Sequence, residues 1–454
     1  MNIIIIGCGQ VGTTLAGQLS GEEHDITVID KDENKIATLI ERFDIMGVCG
    51  NGVSITVLEE AGIENADILI AVTESDEINL LCCVMAKKAT KCHTIARVRS
   101  PIYSGETDFI KKSLGITRTI NPELETASEI AHILKYPSAE NIDSFAKGKV
   151  KLVKIKITES SPLANAEIRE IYSKTGAEML VCAIERGTQV IIPFGSTLIK
   201  AGDTVSFVAE GGKVRNILSK LSLKHKPVKS AMIVGGDTIA YYLSKKLIKS
   251  GVDVKIIDSN IERCERLHEL LPEVTVIHGD DTDKKLLLDE GLESAGAFVA
   301  NTHIDEENIF LSMFTKDISK AKIVSKVNRL DFDNLIKGLD IGTVIYPKYL
   351  TADYIMQYVR ALKNSAGNNV STLYRLLDNT VEAIEFAVND DSPVTSKPIM
   401  NLNLKQNLLI CCICRNDKII IPGGNDSIEK GDSVIVVTLE KGLDDISDII
   451  DDRG

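Results

Sequence analysis

Long apolar segments and a basic excess are missing from this chain of 454 residues, and no targeting sequence is predicted. No apolar run approaches the roughly 18 residues that a membrane-spanning helix needs, so no span is predicted. The N-terminal isoleucines follow no basic region and are soon interrupted by glycines, so they are predicted to form a strand and not a signal peptide. The formal net charge of −13 argues against a nucleic-acid-binding protein.

Cysteine motifs typical of metal sites are also scarce, although the chain contains ten cysteines. One C-x-x-C spacing occurs, from Cys411 to Cys414, but no H-x-x-x-H accompanies it, and most cysteines lie in apolar segments such as Leu81-Cys82-Cys83-Val84. This setting is typical of small buried side chains in a reducing compartment. Neither disulfides nor a metal site is therefore predicted.

The first thirty residues contain the clearest motif. An apolar run, Asn2–Ile6, ends in glycines spaced G-x-G-x-x-G, and a helix-compatible segment follows. Gly7 permits a tight turn, Gly9 lets the backbone approach a pyrophosphate, and Gly12 lets the helix pack closely on the strand. The turn is completed by Cys8, Gln10 and Val11. The motif predicts a dinucleotide site, and the alternative is a glycine-rich turn without a ligand.

An acidic residue, Asp30, ends the second apolar run, where a carboxylate can accept hydrogen bonds from ribose hydroxyls. A carboxylate there favours NAD, as NAD⁺ or NADH, over NADP, because a 2′-phosphate would lie against a like charge. It does not exclude ATP or ADP. No catalytic residue is predicted.

Further candidates follow the later strands, at the sheet edge where ligands of open α/β sheets bind. Thr73 and Glu74 follow strand four, and Thr73 either binds phosphate or ribose or caps the next helix. Arg97, beside Val98, either pairs with a pyrophosphate or forms a surface salt bridge. Asn51 either contacts the adenine edge or forms an Asx turn.

Strand-length apolar runs alternate with helix-length segments from Asn2 to Leu134. The predicted helices include Ile102–Leu114 and a long helix, Pro122–Leu134, that leaves the domain. Strand four, Ala66–Val72, is nearly all apolar, as is typical of parallel strands covered on both faces. The pattern predicts an α/β fold with a Rossmann-like, doubly wound parallel sheet.

The pattern changes near Lys149 to alternating apolar and charged residues. Strands are predicted at Val150–Ile157, Glu178–Glu185, Thr188–Ile192 and Thr204–Ala209. These elements predict a small α+β cap domain, which is too small to be the substrate domain of a dehydrogenase.

The chain then repeats itself. Residues 231–240 match residues 3–12 at an offset of 228, and Asp258 matches Asp30. Later matches include Asp305-Glu-Glu-Asn308 with Asp76-Glu-Ile-Asn79, and Lys326-Val-Asn-Arg329 with Arg97-Val-Arg-Ser100. The cap repeats as well, so two tandem copies are predicted. The predicted domains are residues 1–140, 141–224, 229–366 and 367–454.

The second copy departs from the motif at Asp237, which stands where the first copy has Gly9. Two unit charges roughly 4 Å apart repel by about 4 kcal/mol at an effective dielectric constant near 20. Unless something offsets this repulsion, affinity would fall by roughly three orders of magnitude. The second site, comprising Gly235, Gly236, Asp237, Asp258 and Thr302, is therefore predicted to bind dinucleotide weakly or only with a bridging divalent cation. The alternative is that Asp237 points outward and that Asp280, Asp281 and Asp283 cap a helix.

A tandem pair of Rossmann-like domains with small caps resembles the regulators of potassium conductance, and most closely the regulatory subunits of Trk-type potassium-uptake systems. The resemblance covers essentially the whole chain and includes the Gly-x-Gly-Gln-Val-Gly turn. It implies a cytoplasmic NAD-binding protein that forms a homodimer or homotetramer. It also implies a gating ring on the inner face of the membrane, attached through an integral-membrane potassium transporter.

Two other classes remain open. A nicotinamide-dependent oxidoreductase would need an acid–base residue facing the cofactor and a substrate domain, and the sequence offers no convincing candidate for either. A scaffold without nucleotide control is the other alternative, and the intact first motif argues against it.

Overall fold

The computed structural model describes residues 1–22, 24–137, 139, 141–145, 149–187, 189–223, 227–328, 336, 339, 341–365, 370–376, 381–388, 392–416, 418–440, 442–443 and 445–451. These residues form two compact units, Met1–Leu134 with Val228–Met356 and Lys135–Pro227 with Gln357–Gly454. Each unit therefore combines equivalent parts of the two sequence copies. Thr188, the first residue of a predicted strand, and Arg329, the last residue of a repeat match, lie outside the described residues.

The first copy begins with a six-stranded parallel sheet in the order β3-β2-β1-β4-β5-β6. Its strands are β1 (Asn2–Ile6), β2 (Asp25–Asp30), β3 (Met46–Cys49), β4 (Ile68–Ala71), β5 (His93–Arg97) and β6 (Arg118–Ile120). The order reverses between β1 and β4, where an open α/β sheet forms its ligand crevice. The predicted doubly wound parallel fold is confirmed.

Helices connect these strands. They are α1 (Gln10–Ser20), α2 (Glu33–Arg42), α3 (Ile55–Glu60), α4 (Asp76–Ala89), α5 (Pro101–Ser104), α6 (Thr107–Leu114) and α7 (Pro122–Lys135). The single helix predicted over Ile102–Leu114 is wrong, because a turn at Gly105 separates α5 from α6. The Glu106 amide there bonds back to the Tyr103 carbonyl, which ends the first helix after one turn.

The cap of the first copy is an antiparallel sheet in the order β10-β9-β11-β8-β7. Its elements are β7 (Asn141–Phe145), β8 (Val150–Lys156), α8 (Ile171–Thr175), β9 (Leu180–Arg186), β10 (Gln189–Ile191), β11 (Thr204–Glu210) and α9 (Val214–Lys220). Strand β7 is missing from the prediction, because only Ile142 and Phe145 mark it as apolar.

The second copy repeats the six-stranded parallel arrangement in the order β14-β13-β12-β15-β16-β17. Its strands are β12 (Ser230–Val234), β13 (Asp253–Asp258), β14 (Thr275–His278), β15 (Ala297–Ala300), β16 (Lys322–Lys326) and β17 (Thr343–Ile345). Its helices are α10 (Thr238–Lys249), α11 (Ile261–Leu270), α12 (Lys284–Asp289), α13 (Asp305–Ile318) and α14 (Pro347–Ser365).

The second cap has the sheet order β18-β19-β22-β20-β21. Its strands are β18 (Val370–Leu376), β19 (Val381–Ala387), β20 (Leu408–Arg415), β21 (Lys418–Ile420) and β22 (Ser433–Thr438). The described parts of the two caps share one apolar cluster, in which Val150 and Cys182 pack with Val381 and Cys411. The caps thus form one unit with a common core.

Helix α7 leaves its own sheet, as predicted. Its apolar residues Ile130 and Ile133 belong to a buried cluster with Ile233 and Leu243 of the second copy. At the start of the helix, the Asn121 side chain donates to the Tyr242 hydroxyl at 3.1 Å. The two Rossmann-like domains are therefore joined through α7 into a single unit.

Eight of the ten cysteines are buried, as predicted from their apolar neighbours, whereas Cys49 is exposed and Cys414 is half-buried. Burial raises the pKa of the Cys8 and Cys82 thiols to about 12. No helix in the described ranges is both long and apolar enough to cross a membrane. Within the same ranges, no group of three or more His, Cys, Asp or Glu side chains could hold a metal ion.

Candidate functional site

The first and third glycines of the opening turn are required on steric grounds, because a side chain at either position would clash. Gly7 has φ +103°, and a Cβ there would lie 3.0 Å from the Thr73 amide nitrogen. A Cβ on Gly12 would lie 1.9 Å from the Gly7 carbonyl oxygen, so helix α1 could not approach the turn as it does. Gly9 differs, because its Cβ would meet nothing within 4 Å. The space beside Gly9 is open.

Gly9 is also the N-cap of α1, and it provides no side-chain hydrogen bond to the first turn of the helix. The first amide groups of a helix have no intrahelical acceptor, and the helix dipole makes this end electropositive. The open space beside Gly9 therefore borders a helix terminus that suits an anion.

Asp30 stabilises the same turn through hydrogen bonds. Its Oδ2 accepts a hydrogen bond from the Cys8 amide at 2.6 Å, and its Oδ1 accepts one from the Asp32 amide at 3.0 Å. Each carboxylate oxygen can accept a second hydrogen bond. Asp30 is only half-buried, so it can both hold the turn and accept donors from a ligand.

Arg97 ends β5 at the same sheet edge. Its Nε is buried and has no hydrogen-bond partner, and no ion pair is found for this residue within the described part of the chain. Burial, followed by repulsion from Arg99, lowers the pKa of the Arg97 guanidinium. The alternative of a surface salt bridge is wrong for Arg97, since Arg99 is the residue that pairs, with Glu123 at 2.6 Å. Arg97 is thus a partly desolvated cation without a carboxylate on its Nε.

Two polar residues that position this edge were missed in the sequence. Asn79, fully buried on α4, accepts from the Thr73 amide and donates to the Thr73 and Arg97 carbonyls. Asp76 accepts from the Arg99 and Ser100 amides. Both recur in the second copy as Asp305 and Asn308, so the internal repeat was the signal that could have found them.

Two further candidates, Thr73 and Asn51, form local hydrogen bonds. The Thr73 hydroxyl donates to the Asn79 side chain at 2.7 Å, whereas Ser75 caps α4, so the helix-cap alternative for Thr73 is wrong. Asn51 accepts from the Val53 amide at 3.3 Å, so its Asx turn is confirmed. The role of Asn51 toward adenine stays a prediction.

A cleft with a cavity volume of about 1300 Å³ brings most of the predicted residues together. The first-copy candidates that line it are Gly7, Gly9, Gln10, Val11, Asp30, Asn51, Thr73, Glu74 and Arg97. Cys8, Gly12 and Val98 are not part of its lining. From the second copy, Gly236 and Asp237 line the same cleft, whereas Gly235, Asp258 and Thr302 do not. Both turns therefore face one space within the first compact unit.

The charges of this cleft oppose those of the chain as a whole. Among the described residues, eight Lys and Arg side chains line it, against four Asp and Glu. The full chain instead carries a formal charge of −13. A concave surface lined with an excess of one charge concentrates ligands of the opposite charge. The cleft is suited to an anionic ligand.

The turn of the second copy is occupied by its own side chain. Asp237 caps α10, and its Oδ1 accepts from the Ile239 amide at 2.9 Å and the Ala240 amide at 3.2 Å. Oδ2 pairs with the Lys326 ammonium at 2.9 Å. The alternative that Asp237 points outward is wrong. The expectation of an uncompensated charge is also corrected, because Lys326 neutralises it.

Asp258, the counterpart of Asp30, is closed off as well. It accepts from the Gly236 amide at 2.6 Å and pairs with the Arg263 guanidinium at 3.0 Å. The nearby acids have local roles. Asp283 caps α12, as the capping alternative predicted, whereas Asp280 accepts from the Thr282 amide before the helix begins and does not cap it. Burial raises the pKa of Asp281.

Two Rossmann-like domains that share a basic cleft, each followed in sequence by an antiparallel cap, define a duplicated nucleotide-binding type of α/β protein. The chain belongs to the TrkA family. The TrkA-N domain matches residues 3–122 and 231–347, and the TrkA-C domain matches residues 152–222 and 383–451. The resemblance stated from the sequence is confirmed.

Similar proteins span nearly the whole chain. The Trk system potassium uptake protein TrkA of Halomonas elongata is 35% identical over 97% of this chain and 96% of its own length. The protein of the same name from Vibrio alginolyticus is 34% identical over 97% and 96%. Among solved structures, the GsuK channel bound to NAD has a TM-score of 0.63 at 17% identity, covering 96% of this chain and 76% of that one. That likeness concerns the fold.

Proposed function

We propose that the first copy binds NAD⁺ or NADH in the basic cleft and that the chain regulates a Trk-type potassium-uptake transporter in response. The observation that carries the proposal is the open terminus of α1 beside Gly9, with Asp30 on one side and the unpaired Nε of Arg97 on another. A helix terminus that binds the pyrophosphate and a carboxylate that accepts from ribose are the groups that hold a dinucleotide at a βα turn. The Arg97 guanidinium adds a charge-assisted donor for the pyrophosphate.

Each group has a distinct task in this proposal. The pyrophosphate accepts hydrogen bonds from the free amides of α1 and from the guanidinium of Arg97. The remaining acceptor positions of Asp30 bind ribose hydroxyls and disfavour a 2′-phosphate. Glu74, Thr73 and Asn51 line the rest of the cleft, and we propose that they contact the nucleoside parts. ATP or ADP would use the same helix terminus and remains the alternative ligand.

The regulatory part of the proposal is supported by kinship. The relatives with 34–35% identity are named as potassium uptake proteins of the Trk system. We propose that this chain acts in the same system, on the cytoplasmic face of the membrane and through an integral-membrane partner. A homodimer or homotetramer would form the gating ring. The four domains predicted from the sequence stay a proposal, and their boundaries are tested by expression of the parts.

Calorimetric titration of the full chain with NADH, NADPH and ATP tests the binding step. We expect NADH to bind and NADPH to bind more weakly, because its 2′-phosphate meets Asp30. Arg97→Met removes a charge-assisted hydrogen bond of about 1.5–3 kcal/mol, so NADH affinity should fall by roughly 10- to 100-fold. Arg215→Met, at an exposed position of the first cap domain, is the control and should bind NADH with the affinity of the natural chain. Unchanged affinity of Arg97→Met would contradict the assigned site.

A further inference from the structure

We propose that Asp237 takes the place of a ligand phosphate in the second copy, so that each chain binds one dinucleotide, in the first copy only. The inference deepens the proposed function and rests on it for the first site. In this inference the Asp237 carboxylate does not merely repel a phosphate. It occupies the position that a phosphate would take.

Asp237 lies at the helix terminus that is equivalent to the one beside Gly9. It is the residue that corresponds to Gly9, and both are N-cap residues of the helix after the first strand. Its carboxylate accepts from the amides of Ile239 and Ala240, which correspond to Val11 and Gly12. In the first copy no side chain caps this terminus. A phosphate approaching α10 would therefore find its donors already engaged.

The cation at this sheet edge, Lys326, is paired with Asp237. Lys326 corresponds to Arg97, and its side chain is only 5% exposed. Its ammonium donates to Asp237 at 2.9 Å and to the Asn301 carbonyl at 3.0 Å. The side-chain amide of Asn301 also donates to Asp237 Oδ1, at 2.7 Å. The basic group that is unpaired at Nε in the first copy is thus paired in the second, and no divalent ion is needed to neutralise the acid.

The ribose end is blocked in the same way. Asp258 is 1% exposed, and the Arg263 guanidinium pairs with it at 3.0 Å. Arg263 corresponds to Lys35 of the first copy, and it also contacts the His303 ring at 3.0 Å. A ribose hydroxyl would have to displace Arg263 before it could reach the carboxylate. Both ends of the second pocket are therefore closed by side chains of the second copy.

The consequence is an asymmetry between two similar domains. The terminus of α10 is always capped, whereas the terminus of α1 acquires an acceptor only when a ligand binds. Because both turns line one cleft, the second copy serves as a fixed wall against which the first copy binds its ligand.

The number of NADH molecules bound per chain tests the inference, by native mass spectrometry and calorimetry of the full-length protein. We expect one in the natural chain and none in Gly9→Asp, where the new side chain enters open space and can pair with Arg97. The double variant Asp237→Gly/Arg263→Lys restores both first-copy residue types and should bind two. Asp289→Gly, an exposed acid of the same domain, should still bind one. Two molecules in the natural chain, or one in a folded double variant, would overturn the inference.

Amide hydrogen exchange provides a readout that needs no ligand. In the ligand-free natural chain, the Ile239 and Ala240 amides should exchange at least tenfold more slowly than those of Val11 and Gly12. Asp237→Gly should remove that difference. Equal exchange at the two helix termini would contradict the occupied second site. If the natural chain binds no NADH at all, the proposed function fails, and this exchange comparison still decides the role of Asp237.

Discussion

At the scale of single residues, the most informative comparison is between Arg97 and Lys326. The two occupy equivalent positions at the end of the fifth strand, where Lys326 is buried and Arg97 is half-buried. Arg97 has no hydrogen-bond partner for its Nε, whereas Lys326 has a carboxylate and a carbonyl. A partly buried cation with an unpaired donor is unfavourable in the absence of ligand, whereas a buried paired cation depends on its partner. The same position therefore has opposite consequences in the two copies.

Replacement of each cation by methionine should separate these consequences. Lys326→Met leaves Asp237 partly buried without its counter-ion, so the free energy of unfolding should fall by about 3 kcal/mol. Arg97→Met removes a desolvated charge and should leave the free energy of unfolding equal or higher. Urea unfolding followed by circular dichroism measures both, since the chain lacks tryptophan. A destabilisation of Arg97→Met as large as that of Lys326→Met would contradict this comparison.

At the scale of elements, a buried asparagine ties three segments together in each copy. Asn79 on α4 bonds to the backbone of Thr73 after β4 and to the carbonyl of Arg97 at the end of β5. Asn308 on α13 makes the same contacts with Thr302 and Lys326. The asparagine fixes the edge from which Arg97 faces the cleft.

Asn79→Leu keeps the branched shape and the number of heavy atoms of this side chain and removes its hydrogen bonds. Buried backbone groups would lose their partners, so the free energy of unfolding should fall by about 3 kcal/mol. NADH affinity should fall as well, because Arg97 is no longer held in place. The matched variant Asn308→Leu should be destabilised to a similar extent but should keep the NADH affinity of the natural chain. Calorimetry measures the NADH affinity of both variants. Equal losses of affinity would contradict a specific role for Asn79.

A second device at this scale holds the hairpins of the caps. Arg186 donates two hydrogen bonds to the Asp203 carboxylate, at 2.8 and 2.7 Å, and Arg415 donates to Asp432 in the same way. The Asp203 side chain is only 2% exposed. Burial alone would raise its pKa, but the hydrogen bonds from Arg186 and from the Lys200 amide outweigh burial and hold the pKa below 3.8.

The Asp203 pair should give stability a defined dependence on pH. A carboxyl whose folded pKa is lowered contributes fully above its unfolded pKa, and that contribution is lost as the pH falls through the folded value. Asp203→Asn should therefore lower the free energy of unfolding by about 2 kcal/mol at pH 7, and the gap to the natural chain should close below pH 3.8. Denaturant unfolding across this pH range measures the gap. A gap that stays constant into the acid range would contradict the lowered pKa.

At the scale of the whole molecule, the duplication and both parallel sheets could be predicted from the sequence. Residue periodicity marks strands and helices, and the glycine spacing marks the turn after β1. The pairing of Asp237 with Lys326 could not be predicted, because the two lie 89 residues apart and a motif does not give side-chain directions. Strand β7 was missed since its residues Asn141–Phe145 contain too few apolar positions to show a period.

The asymmetry between the two copies bears on the proposed regulation. If the second copy is closed, the proposed response of the chain to nucleotide depends on a single pocket in each chain. Gly9→Asp then removes the response without removing the protein, because the space beside Gly9 accepts a side chain. This variant separates loss of ligand from loss of the subunit.

Potassium flux is the most direct test of the central claim, that occupation of the first pocket controls a Trk-type transporter. Proteoliposomes with the transporter are assayed with the natural chain or with Gly9→Asp, each with and without NADH. The account predicts that the natural chain changes the flux and that NADH alters this effect, whereas Gly9→Asp still associates but does not respond to NADH. Flux that is the same with and without the chain, or an NADH response that survives in Gly9→Asp, would contradict it.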